Sequence, residues 1–139
     1  MTQSGDNPLS ESMPPLKLVK AWYFIGAMML LGVAVLSLMP SPDIGVSDKL
    51  AHLATYFFLS GWFSLLAVNR ISLGWTVIGL VGYGMLIELL QGMTAYRYPE
   101  WGDVLANGAG VLAGILFYFS PLPRLLKFVD ARLARILLR

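Results

Sequence analysis

Residues 21–39 read AWYFIGAMMLLGVAVLSLM, an unbroken apolar run without one charged side chain. A helix rises about 1.5 Å per residue, so a run of this length crosses the roughly 30 Å of a bilayer's hydrocarbon. It is longer than the core of a typical signal peptide, and no small-x-small cleavage site follows it. The segment is therefore expected to be retained as a membrane span.

The rest of the chain has the same character. Of its 139 residues 57% are hydrophobic and 13% charged, with a mean hydropathy of +0.68. Soluble domains carry about 25% charge, so the composition places the chain in the membrane class. The absence of cysteine excludes disulfides, thiolate metal sites and cysteine nucleophiles. A single histidine leaves little scope for a zinc centre, which normally takes three or four N, S or O ligands.

Three further apolar runs follow, at 50–68, about 73–93 and 103–119, separated by the breaker-rich PSPDIGVSD and TAYRYPEWG and by Asn69–Arg70. A soluble bundle would carry a polar stripe along every helix, and these runs do not. The expected fold is an all-α membrane protein, a four-transmembrane-helix bundle spanning 21–119. Residues 1–20, rich in Ser, Pro and Asn, read as a disordered cytoplasmic tail. Residues 121–139 differ again. Leu125, Leu126, Val129, Leu133, Ile136 and Leu137 recur at helical spacings, while Arg124, Lys127, Arg132, Arg135 and Arg139 face one acid, Asp130. This is the pattern of a basic amphipathic helix lying among anionic headgroups, with a partner-binding helix as the alternative.

Four spans put the N-tail, the 69–70 turn and the C-tail on one side. That side holds Lys17, Lys20, Arg70 and the five basic residues of the tail; the other holds only Lys49 and Arg97, beside Asp43, Asp48, Glu100 and Asp103. The positive-inside rule then sets both termini in the cytoplasm of a bacterial inner membrane. With that orientation nearly every polar residue within or beside the spans falls near the outer interface.

The cluster has three parts. DKLAHLATY places Asp48, His52 and Tyr56 on one helical stripe. An aspartate one turn from a histidine orients the ring for acid–base or ligand work; alternatively Asp48 is an N-cap and His52 satisfies a backbone carbonyl. Lys49 is placed to snorkel toward headgroups. GMLIELLQG holds Glu88 and Gln91. A mid-membrane acid costs about 2.5–3.5 kcal/mol on insertion scales, so such groups face the bundle interior and pair. The partners expected for Glu88 are His52, Arg97 and Asn107, either for function or to set helix register. RYPEWGDVLANGAGVLAG supplies Arg97, Asp103 as an N-cap, Asn107 one turn deeper, and Gly110 and Gly114 as a close-packing stripe. Tyr96, Tyr98 and Trp101 suit an interfacial belt.

Taken in order, these three segments resemble the VanZ-like family of small membrane proteins, whose pattern is D-K-x-x-H, E-x-x-Q and R-x-x-x-x-x-D-x-x-x-N-x-x-G. Here it falls on Asp48, Lys49, His52, Glu88, Gln91, Arg97, Asp103, Asn107 and Gly110, over roughly residues 40–119. The family takes its name from a protein associated with low-level teicoplanin resistance. The resemblance implies a place in the cell envelope and no established reaction, since kinship of fold does not transfer function.

Three functions are weighed. A non-catalytic envelope protein would bind a lipid-linked or amphipathic ligand through Asp48, Lys49, His52, Glu88, Gln91, Arg97, Asp103 and Asn107. An enzyme acting on a lipid headgroup or cell-wall precursor would use His52 as base or nucleophile, Glu88 as acid, Asp103 as orienting group and Arg97 as a clamp. A proton-coupled transporter would use Glu88. No cofactor is expected: Asp48, Glu88 and Asp103 are able to hold a hard divalent cation, but no metal-ligand spacing demands one. The expected partners are membrane lipids, an envelope ligand and a second copy of the chain through Gly110 and Gly114, with no nucleic acid.

Overall fold

The computed structural model describes residues 15–40, 47–95 and 98–138. Among them every regular element is helical: α1 (Val19–Leu38), α2 (Asp48–Leu66), α3 (Arg70–Gly92), α4 (Trp101–Gly114), α5 (Leu116–Phe119) and α6 (Leu122–Leu137). Three segments are long and apolar enough to cross a membrane: α1, α3 and the run Trp101–Phe119 that joins α4 to α5. α2 is of similar length but less apolar, because it carries Asp48, Lys49, His52, Ser60 and Ser64.

That difference follows from position. α2 is the central helix, packed most extensively on α4 and also touching α1, α3 and α5. Past its first turn its polar side chains point inward: His52, Ser60 and Ser64 are buried beside Tyr56 and Leu59, while Asp48 and Lys49 at its start are exposed. Ser60 donates to the Val111 carbonyl oxygen at 2.7 Å. Tyr56, Leu59, Leu80 and Val111 form the core, with Met29, Leu30, Val33 and Val77 packed on it. α1 is the reverse. It is almost wholly apolar, yet Gly26 is its only buried residue, and Phe24, Leu31, Val35 and Leu36 face outward. A lipid-facing helix has this character, since hydrocarbon gives apolar side chains no reason to turn inward. Side chains of its neighbours grip its backbone: Trp62 Nε1, Tyr83 Oη and Gln91 Nε2 donate to the carbonyls of Trp22, Leu30 and Ser37 at 3.3, 2.6 and 2.8 Å.

The α2–α4 contact explains two glycines. A β-carbon at Gly110 would run into the Leu53 carbonyl oxygen, and one at Gly114 would lie 2.5 Å from that of Phe57. Both glycines therefore seat α4 against α2 of the same chain. The α2–α3 turn is closed by a capping box: Asn69 Oδ1 accepts from the Ser72 backbone at 2.8 Å, and Ser72 Oγ accepts from the Asn69 backbone at 3.0 Å.

At the opposite end from the α1–α2 connection, α6 is tied to the start of α1. Asp130 Oδ2 accepts from the Lys17 backbone N–H at 2.7 Å. Its Oδ1 accepts from the Leu18 N–H at 2.9 Å and from Trp22 Nε1 at 2.8 Å. The first turn of α1 has no side-chain cap of its own, so Asp130 caps it from α6. Burial alone would raise this carboxyl's pKa; the bonds from Trp22, Lys17 and Leu18 outweigh it and hold it below the usual carboxylate range.

Candidate functional site

α2, α3 and α4 bring their polar residues together at the end of the bundle away from α6. α2 and α4 run parallel and α3 antiparallel to both, so α2 contributes its first turns, α3 its last two and α4 its first two. His52 lies at the centre. Its Nδ1 is 3.0 Å from Asn107 Oδ1, and its Nε2 faces three carboxylates: Glu88 Oε1 at 3.9 Å, Asp48 Oδ2 at 4.0 Å and Asp103 Oδ2 at 4.0 Å. With the amide oxygen of Asn107 on Nδ1, the ring is oriented so that Nε2 points at the acids.

His52, Glu88, Asp103 and Asn107 are buried, whereas Asp48 stands at the mouth. Glu88 Oε1, Asp103 Oδ1, Asn107 Nδ2 and the Tyr56 hydroxyl have no hydrogen-bond partner among the described residues. Gly84 leaves room for two of these side chains, since a β-carbon there would sit 3.2 Å from both Asn107 Nδ2 and Tyr56 Cε1. Lys49 closes the rim: its Nζ lies 2.7 Å from Glu100 Oε2 and 3.8 Å from Asp103 Oδ1. The Lys49 ammonium holds the Glu100 carboxyl below its ordinary pKa.

Two cavities open onto the cluster. One, about 170 Å³, lies between α1, α2 and α3 and is lined by Asp48, His52, Tyr56, Ser37 and Gln91. The other, about 300 Å³, is mainly apolar, with Met85, Leu89, Pro99, Trp101 and Val104 around Glu88 and Glu100. Glu88 lines the apolar groove, and its Oε1 lies 3.9 Å from Nε2 of His52, which lines the polar pocket.

Some expectations need correction. The N-cap of α2 is Ser47 and that of α4 is Glu100; Asp48 and Asp103 lie inside the first turns, and neither position shows a side-chain cap. His52 meets the Asn107 side chain rather than a backbone carbonyl. Gln91 lines the polar cavity but gives its hydrogen bond to Ser37 of α1. Arg97 lies outside the described residues. Glu100 enters the site through Lys49, although the sequence marks it only as loop charge.

These features define a small all-helical membrane protein with a carboxylate-rich, histidine-centred pocket at one end of its bundle. The chain belongs to the VanZ/LLP1 family, whose family model matches residues 6–126. No curated protein and no solved structure matches it.

Proposed function

We propose that this is a four-span protein of the bacterial inner membrane, with both termini cytoplasmic. Its outward-facing pocket binds a lipid-linked or amphipathic envelope ligand and thereby contributes to tolerance of teicoplanin-type glycopeptides. The eight-to-two bias of basic residues supports the orientation. The nineteen residues of α2, with polar groups turned inward, support the fourth span, because such a helix is about 28 Å long and shows lipid mainly its apolar side. The observation that carries the ligand class is the meeting of Glu88, which lines the apolar groove, with His52, which lines the polar pocket, at 3.9 Å. A polar head fits the pocket beside Asp48, His52 and Gln91, and an alkyl or prenyl part fits against Met85, Leu89, Trp101 and Val104.

A second reading rests on His52 itself. An imidazole held at Nδ1 by Asn107, with Nε2 directed at acids, has the arrangement of a general base. Protein purified in nanodiscs of native lipid tests both. Native mass spectrometry is expected to show a retained amphiphile whose occupancy falls at least about tenfold in Glu88→Gln, the cost of one lost charge-assisted hydrogen bond. Equal occupancy in wild type and variant would sink the ligand reading. Conversion of that amphiphile, abolished in His52→Ala, would establish the enzyme instead.

A further inference from the structure

In the His52 cluster the ring's Nε2 faces three carboxylates, none of them within hydrogen-bond reach. Asp48, Glu88 and Asp103 present acceptor oxygens to one ring nitrogen, at 3.9–4.0 Å. A proton on Nε2 reaches none of them, since a hydrogen bond to oxygen needs about 2.7–3.2 Å. Two donors each about 2.1 Å from a tetrahedral metal ion lie about 3.4 Å apart, a little closer than these. Donor atoms of Asp48, His52 and Asp103 all lie within 4.8 Å of one another, so an ion at their centre needs each to draw in by about half an ångström. Glu88 supplies the independent sign. It is 4% exposed, and its Oε1 is buried, without a hydrogen-bond partner among the described residues, and directed at the same nitrogen.

We propose that His52 Nε2, Asp48, Asp103 and Glu88 form a binding site for one divalent transition-metal ion of the zinc or manganese kind. One imidazole with several carboxylates suits these borderline cations better than magnesium or calcium, which prefer all-oxygen shells, and better than copper(I), which prefers sulfur. Asn107 is the positioning residue: by accepting from Nδ1–H it turns the Nε2 lone pair inward, as carbonyl and carboxylate partners do for metal-bound histidines. The site uses the same pocket as the ligand reading above but does not depend on the amphiphile. The bound ion would present a positive centre beside the apolar groove, suited to an anionic head such as a phosphate.

The full chain in nanodiscs, stripped with EDTA and dialysed, tests this with ZnCl2 and MnCl2 alone. Elemental analysis and calorimetry are expected to give one ion per chain. Asp103→Asn and His52→Ala should weaken it by at least about tenfold, and Asp48→Asn by less, about three- to tenfold. Asp48 stands at the mouth, so its variant keeps the test meaningful even if the buried ones misfold. Asp130→Asn, at the far end, should leave uptake unchanged. No saturable uptake by the wild type, or uptake undiminished in Asp48→Asn and Asp103→Asn alike, overturns the metal site. Retention of an amphiphile that still depends on Glu88 after such a result would remove the ion and leave the ligand reading standing. Metal bound with no amphiphile retained would do the opposite.

Discussion

Asp130 and Glu88 are both acids withdrawn from solvent, 2% and 4% exposed, at opposite ends of the same bundle. Asp130 is fully engaged: two backbone N–H groups and an indole N–H, all donors, meet its two oxygens. Glu88 has an oxygen without a hydrogen-bond partner among the described residues and faces a histidine ring nitrogen 3.9 Å away, beyond hydrogen-bond reach. A buried charge that is saturated by the chain's own donors holds the fold together. One left short of donors is a cost to the fold, and the pocket beside it indicates what offsets that cost. The pair separates structure from site without reference to any relative.

Breaking the saturated end should have the largest effect on stability. Asp130→Ala strips α1 of its cap and leaves Trp22 Nε1 without its acceptor, for an expected loss of about 2–4 kcal/mol in reversible unfolding in mild detergent. The acid dependence has a defined sign. Because the native pKa of Asp130 lies below the ordinary value near 3.9, its contribution is complete above about pH 5 and fades as pH falls through the lowered native value. Melting between pH 3 and 6 should therefore show an acid-side decline that Asp130→Asn flattens. Trp22→Phe keeps the aromatic contact with Trp62 and removes one donor, so the loss should be about 1 kcal/mol. At the other end, Glu88→Gln and Asp103→Asn should change stability by less than about 1 kcal/mol, in either direction, since they remove charges that the chain does not saturate. A loss as large as that of Asp130→Ala would erase the distinction between the two ends.

Much of this was legible in residue order. The apolar runs mark the helices because lipid rewards unbroken apolar length, and the polar exceptions mark the interior because a buried acid or amide in lipid has to find company. Asp48 and His52, Glu88, and Asp103 and Asn107 could be placed at one depth by counting turns from each loop. What counting does not yield is direction around the helix in a packed bundle. Glu88 and Gln91 are three residues apart, yet one turns toward α2 and α4 and the other reaches the Ser37 carbonyl of α1. The Asp130 cap joins residues separated by 108–113 positions, and its only trace in the sequence is one acid on an otherwise basic helix. The central place of α2 was also hidden, because its lower hydropathy reads as a weaker span rather than as the helix most enclosed by protein.

The account stands or falls on whether the His52 end serves a ligand while the Asp130 end serves the fold. The direct measurement places wild type, Glu88→Gln and Asp130→Ala side by side in native-lipid nanodiscs and reads unfolding midpoint and retained amphiphile from the same preparations. Glu88→Gln is expected to unfold like the wild type and to lose the amphiphile, and Asp130→Ala to unfold early while its folded fraction still carries it. A Glu88→Gln protein that unfolds as early as Asp130→Ala, with its amphiphile retained at the wild-type level, would contradict the account.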